Sequence, residues 1–182
     1  GINGRRSVKI EWDGVEGMNP WRFGLASATG LEPPERLFAQ SGRQMAGWRV
    51  QLPMFQAAIR AKYAPQAAAL GIYSNRDMVD LYGQVLDDDE APDTVKSRAQ
   101  GLRSAYTAEG DAAKVAAMTS LWGAAAAGAD YHGALVMTAR AAALIRPDEA
   151  HAGAADQLIA SMFTTGLDRN AAAWARIVDE GT

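Results

Sequence analysis

The sequence predicts an all-α protein of antiparallel helical hairpins, arranged as a helical bundle or a short α-solenoid and preceded by an irregular N-terminal arm. Alanine makes up roughly a fifth of the 182 residues, and valine, isoleucine and aromatic residues are few, which favours helix over strand. Four aspartates also recur at nearly equal intervals in the second half of the chain: Asp111, Asp130, Asp148 and Asp168.

These aspartates mark the predicted helix starts. Aspartate is a preferred N-cap residue because its carboxylate accepts a hydrogen bond from a free backbone N–H of the first helical turn. Shortly before each aspartate stands a residue that ends helices: Gly110, Gly128, Pro147 and Gly166. Turns this short make neighbouring helices antiparallel, and a helix-pair repeat of about 37 to 38 residues lies in the range of solenoid proteins.

Length and composition indicate one compact helical domain over residues 31–182, with residues 1–30 as the irregular arm. Hydrophobic residues at 48% and charged residues at 21% are typical of a folded globular chain. The sequence has no cysteine, which excludes disulfides and cysteine-ligated zinc. Its apolar runs are shorter than the roughly 18 residues of a membrane-spanning helix, so we expect no membrane span.

The sequence leaves the cellular compartment open. Residues 1–6 lack the apolar segment of a signal peptide, so we expect a soluble protein that is cytoplasmic, or extracytoplasmic after loss of a signal peptide. Because the chain begins without methionine and stops directly after a predicted helix, we expect it to belong to a longer protein.

In the N-terminal half, the elements follow from weak alternation, proline positions and helical spacing. The alternation of residues 7–12 is typical of a short strand. A proline pair suits the first turn of a helix over residues 33–48, because proline there loses no intrahelical donor. A second helix is predicted over residues 52–70, with a bend or break near Ala64 caused by Pro65.

The C-terminal half shows clearer helical periodicity. Ser74 precedes apolar residues at spacings of three and four, which predicts a helix over residues 75–86, and an apolar stripe predicts the next helix over residues 92–110. The segments opened by the four aspartates follow. Trp122 and Trp174 lie in the apolar stripes of these segments, so we expect both in the core.

Charge is distributed unevenly along the chain. Residues 1–62 carry nine Lys or Arg against five Asp or Glu, a net +4, whereas residues 63–182 carry nine against sixteen, a net −7. This asymmetry indicates either that the basic part docks on the acidic part or that it faces an anionic partner. The basic residues are scattered without interleaved aromatics and the sequence pI is about 5.4, so the pattern disfavours nucleic acid as a partner.

The sequence predicts no cofactor, no metal site and no catalytic group. The acidic run over residues 87–90 lacks the alternating spacing and the glycine of a calcium-binding loop, and is more typical of a solvated turn. His132 and His151 open adjacent antiparallel helices, so we expect them at opposite ends of the helix pair, too far apart to share a metal.

We therefore interpret the protein as a non-catalytic helical scaffold or protein–protein interaction module. Its expected partner is another protein or a second copy of itself. The arm tryptophans either contact a partner or clamp the arm onto the helices. Because exposed aromatic residues dominate the energetics of interfaces, the candidate partner-binding residues lie in this aromatic part of the arm. They are Trp12, Trp21, Arg22 and Phe23.

Two alternative functions stay open. A glycan-acting enzyme would use an acidic residue near the arm tryptophans as its proton donor. The candidate acids are Glu11, Asp13, Glu16 and Glu35. A carrier protein would instead hold an apolar ligand in a cavity between alanine-lined helices, where small side chains leave room.

Overall fold

A computed structural model describes residues 12–38, 41–53 and 55–180 of the chain. Within these ranges the chain forms ten α-helices and two 3-10 helices and no β-strand, so the predicted all-α fold is confirmed. The strand predicted over residues 7–12 lies, apart from Trp12, outside the described residues.

The helices are short and are joined by tight turns. In chain order they are α1 (Pro20–Thr29), α2 (Arg43–Gln51), α3 (Ala57–Ala69), α4 (Asn75–Leu86), α5 (Asp93–Thr107), α6 (Asp111–Ala124), α7 (Ala129–Leu144), α8 (Ala155–Phe163), α9 (Asp168–Ala172) and α10 (Ala175–Glu180). The 3-10 helices cover Glu35–Phe38, between α1 and α2, and Glu149–Ala154, between α7 and α8. None of the described helices combines the length and the apolar composition needed to cross a bilayer.

Helix α7 forms the centre of the fold. It packs against its sequence neighbours α6 and α8 and also against α3, α4 and α5. In a solenoid each repeat contacts only adjacent repeats, so these long-range contacts favour a bundle. The helical core includes Trp122 and Trp174, which are 2% and 1% exposed, as predicted from their apolar stripes.

The four aspartates all stand at helix starts, but only one caps its helix as predicted. Asp148 Oδ1 accepts a hydrogen bond from the Ala150 N–H at 2.8 Å. Glycines with positive φ occupy the N-cap positions of α6 and α7, so Asp111 and Asp130 stand inside the first turn and bind other groups. Asp168 is also the first residue of its helix and not the cap. In the first turn a carboxylate still complements the helix dipole.

The helix predicted over residues 75–86 is confirmed as α4. The Ser74 hydroxyl accepts a hydrogen bond from the Asp77 N–H at 3.2 Å, and Asp77 Oδ2 accepts one from the Ser74 N–H at 3.0 Å. This reciprocal pair is a capping box, which satisfies two backbone donors that would otherwise lack a partner. The local sequence therefore defines the start of α4.

Three predictions for the N-terminal half are wrong. The arm expected to be irregular contains α1. The helix expected over residues 33–48 is divided into the first 3-10 helix and α2, because Gly42 adopts an extended conformation before α2 begins. The helix expected over residues 52–70 begins only at Ala57, and it continues through Pro65 without a break.

A smaller apolar cluster lies beside the main core. It consists of Phe23 from α1, Phe38 from the first 3-10 helix, Met45 from α2 and Phe55 before α3. These side chains are 2%, 7%, 4% and 7% exposed, respectively. This smaller apolar cluster packs α1 against the N-terminal end of the bundle.

Candidate partner-binding surface

Helix α1 forms because its local sequence supplies both a start and a stop. Asn19 Oδ1 caps the helix by accepting a hydrogen bond from the Arg22 N–H at 2.8 Å, and Pro20 occupies the first helical position. Gly30 ends the helix with φ +66°, and its N–H bonds back to the carbonyl of Ser27. A left-handed residue at this position is favourable only for glycine and a few small polar residues.

The inner face of α1 is fixed by Phe23. Its ring stacks on Trp48 with the ring centroids 5.6 Å apart, and it meets the Phe38 ring edge-on at 6.1 Å. Ala26, one turn later, is 1% exposed. Aromatic pairs in these geometries add to the free energy gained from burial, so the rotation of α1 about its axis is well defined.

The outer face of α1 is apolar as well. Trp21, Gly24, Leu25 and Ala28 occupy positions i, i+3, i+4 and i+7 of the helix, and all four are exposed. Trp21 is 74% exposed and Leu25 is 43% exposed. We call these four residues the outer stripe of α1. A helix that is apolar on both sides is normally buried on both sides, so the outer stripe is the strongest candidate for a contact surface.

Two arginines hold the chain that precedes α1. Arg22 Nη1 donates to the Gly17 carbonyl at 2.8 Å. Arg36 Nη1 and Nη2 donate to the carbonyls of Val15 and Trp12 at 2.9 and 2.6 Å. The carbonyls of this irregular segment have no helical N–H partner, and the two guanidinium groups donate hydrogen bonds to them instead. These bonds fix the position of the chain just before α1.

The four predicted partner-binding residues have different environments. Trp21 is strongly exposed, and Trp12 is partly exposed beside the Arg36 contact. Arg22 is partly buried and engaged with the backbone. Phe23 is buried at 2% exposure, so its side chain is not available to a partner in this conformation. Sequence reasoning missed Leu25, which the helical spacing from Trp21 would have indicated had α1 been recognised.

The described salt bridges do not join the basic N-terminal part to the acidic helical part. Among the described residues, no ion pair joins residues 1–62 to residues 63–182. The Arg49 guanidinium lies 3.8 Å from the centroid of the Phe38 ring and 3.3 Å from that of Tyr63. This cation–π sandwich ties α2 to α3.

Of the acids proposed for glycan hydrolysis, Asp13, Glu16 and Glu35 border none of five cavities formed by the described residues. Asp13 and Glu16 are exposed, and Glu11 lies outside the described residues. Glu35 Oε2 accepts a hydrogen bond from Lys62 Nζ at 2.7 Å, which holds the pKa of that carboxyl below its ordinary value. A glycosidase proton donor needs a raised pKa, so the environment of Glu35 opposes that role.

An apolar groove runs between α4 and α5. It has a volume of about 300 Å³ and is bordered by Val79, Gly83 and Leu86 from α4 and by Leu102 and Tyr106 from α5. Gly83 has no atom within 4 Å of the position that a Cβ would occupy, so the groove is open at this point. The carrier hypothesis predicts a cavity between alanine-lined helices, and among the described residues Ala99 is the one alanine that borders this groove.

Comparisons with the models of protein families, with curated proteins and with solved structures find no match for this chain.

Proposed function

We propose that the protein is a non-catalytic interaction module that binds a protein partner through the outer stripe of α1. The observation that carries this proposal is the exposed apolar pattern at i, i+3, i+4 and i+7, with Trp21 at 74% exposure. The same spacing is used where a helix lays its apolar face into the hydrophobic groove of a partner. The partner is therefore expected to present an apolar groove wide enough for an indole ring.

Preorganisation supports the same function. The Phe23 contacts and the Asn19 and Gly30 caps fix α1 before any partner binds. A prefolded helix avoids the ordering cost that a disordered binding segment has to meet on association. Trp21 begins the stripe, and tryptophan is among the residue types most enriched at interface hot spots.

Trp21→Ala is expected to weaken partner binding about 30-fold, because hot-spot truncations cost roughly 2 kcal/mol or more. The unfolding midpoint should stay close to that of the wild type, since the Trp21 side chain is mostly in water. The measurement is quantitative cross-linking and mass spectrometry of captured proteins, followed by titration of the captured partner against wild type and variant.

Phe163→Ala is the matched control, because Phe163 is an exposed aromatic at the end of α8, with 57% exposure. It should leave capture unchanged. Light scattering tests whether the partner is a second copy of the chain. A wild-type dimer that dissociates in the Trp21→Ala variant would assign the outer stripe to self-association. A monomer whose captured proteins are the same for Trp21→Ala and Phe163→Ala would contradict the proposal.

A second candidate function is the carriage of an apolar ligand, and the groove between α4 and α5 favours it. We expect dodecanoic acid to bind there, with Arg103 at the rim near its carboxylate. Gly83→Leu should abolish binding in native mass spectrometry because the added side chain fills the groove. Gly123→Leu places the same side chain in open space on α6 and should bind normally. Equal binding by both variants would contradict the carrier function.

A further inference from the structure

A second cavity, remote in sequence from the outer stripe of α1, lies where the end of α3, the start of α4, the middle of α7 and the chain after α8 meet. Its volume is about 450 Å³. The lining mixes apolar side chains such as Ile72 and Val136 with Asn75 and Arg140. A cavity of this size with a few convergent polar groups is typical of a small-molecule site.

Asn75 is the buried polar group of this cavity, at 5% exposure. Its Nδ2 donates to the carbonyls of Val136 and Met137 at 2.8 and 2.9 Å and lies 3.2 Å from the Tyr106 hydroxyl oxygen. The reverse orientation would turn the amide oxygen towards two carbonyl oxygens. The hydrogen-bond network therefore fixes the NH₂ group towards α7.

This orientation leaves the amide oxygen of Asn75 as a free acceptor. Among the residues that the structure describes, no donor bonds to Asn75 Oδ1. Arg60 Nε is the one fully buried side-chain polar atom without a partner among the described residues, so Asn75 Oδ1, which lacks a donor, is accessible to solvent, and Asn75 borders the cavity. Asn75 Oδ1 thus offers a fixed acceptor to a ligand that carries an N–H or O–H group.

Two hydroxyls add to the acceptors. Thr164 Oγ1 donates to the Ser161 carbonyl at 2.6 Å and Thr165 Oγ1 donates to the Met162 carbonyl at 3.3 Å. Both threonines border the cavity. Because their protons are already engaged with the backbone, the hydroxyl oxygens have only lone pairs to offer. The ligand is therefore expected to be rich in donors.

The charged groups complete the pattern. Arg140 is exposed and forms no ion pair within the described part of the chain, and Arg76 also borders the cavity. Asp77 is the one acid among the described lining residues, and its Oδ2 is engaged by Ser74. Arginine binds carboxylates through two parallel hydrogen bonds, so a free arginine beside several acceptors suits a ligand with both a carboxylate and a positively charged donor.

We propose that this cavity binds a small aliphatic L-amino acid. Its carboxylate pairs with Arg140, and its ammonium group donates to Asn75 Oδ1. Its side chain lies against Ile72 and Val136. The site is separate from the proposed interaction surface, so either proposal can fail without the other.

The test uses the whole chain and three probes in calorimetric titrations: L-valine, 3-methylbutanoate, which lacks the ammonium group, and L-valinamide, which lacks the carboxylate. L-valine should bind saturably, and each of the other two should bind at least about tenfold more weakly, since each loses a charge-assisted hydrogen bond. In an NMR titration with L-valine the side-chain amide of Asn75 should shift.

Arg140→Gln should weaken L-valine binding by about tenfold. Arg146→Gln removes the same charge just beyond the end of α7, at a residue that does not border the cavity, and should bind L-valine like the wild type. Both residues are exposed, so both variants are expected to fold. The proposal is overturned if L-valine shows no saturable binding, if 3-methylbutanoate binds as tightly, or if the two variants behave alike.

Discussion

Gly133→Ala is expected to destabilise the protein by about 3 kcal/mol, at the upper end of the usual cost of overpacking a core. A Cβ added at Gly133 would lie 2.5 Å from Pro65 Cβ and 2.6 Å from Pro65 Cα. One of these atoms belongs to the backbone, so no change of side-chain rotamer relieves the clash. Helices α3 and α7 would have to separate, and α7 is the helix around which the bundle packs.

Chemical denaturation followed by circular dichroism measures this effect, and Gly123→Ala is its matched control. Gly123 is an exposed helical glycine of α6, and no atom lies within 4 Å of the position that its Cβ would occupy. Alanine there should stabilise the protein by up to about 1 kcal/mol, through helix propensity alone. If Gly133→Ala were as stable as Gly123→Ala, this result would contradict the close contact between Gly133 of α7 and Pro65 of α3.

The contrast between these two glycines shows that local helix signals can be predicted from the sequence, whereas contacts between helices cannot. The helices of the C-terminal half could be predicted because their signals are local: the Ser74–Asp77 pair, the glycines before α6 and α7, and apolar residues at helical spacing. The contact between Gly133 and Pro65 depends on which helices become neighbours. Nothing within either helix distinguishes Gly133 from Gly123.

Helix α1 in the N-terminal half was not predicted, although its local start and stop signals are present in the sequence. Asn19, Pro20 and Gly30 are the residue types that start and stop a helix. The frequent glycines of this region favoured an irregular segment instead. Once α1 is known, its helical periodicity places Phe23 on the buried face and Trp21 on the exposed face. Residue type alone could not make this distinction, because both side chains are aromatic.

The candidate amino-acid site could not have been predicted from sequence. Asn75 reads as a polar residue in the first turn of a helix, which is a common position for asparagine. Its role depends on the carbonyls of Val136 and Met137, which the fold brings to it from α7. In the sequence Arg140 is likewise indistinguishable from an ordinary surface cation. Only the fold places Arg140 and the segment after α8 at the border of the same cavity.

Arg98→Met is expected to destabilise the protein by roughly 2 kcal/mol, somewhat less than the cost of breaking a fully buried ion pair. Arg98 Nη1 and Nη2 donate to Asp130 Oδ1 and Oδ2 at 2.8 and 3.0 Å, linking α5 to the start of α7. The two side chains are 27% and 30% exposed. Without Arg98, the Asp130 carboxylate keeps the Ala126 N–H as a partner and loses its counter-charge.

The pH dependence of this effect follows from the state of Asp130. Burial raises the pKa of the carboxyl, but the hydrogen bonds and charge of Arg98, with the Ala126 N–H, bring it below its ordinary value. A group with a lowered folded-state pKa stabilises the protein fully above the unfolded-state value, about 3.9, and loses that contribution as pH falls through the folded-state pKa. The difference in stability between wild type and Arg98→Met should therefore shrink in acid.

A double-mutant cycle separates the pair from the rest of the site. Arg98→Met and Asp130→Asn should each be destabilising, and the double variant should lose about 1 to 2 kcal/mol less than their sum, because both remove the same interaction. Arg76→Met is the control. Its pair with Asp80 spans 3.7 Å between exposed side chains, and breaking such a pair costs at most about 0.5 kcal/mol. Additive effects at Arg98 and Asp130 would mean that the two helices are held together by their apolar contacts alone.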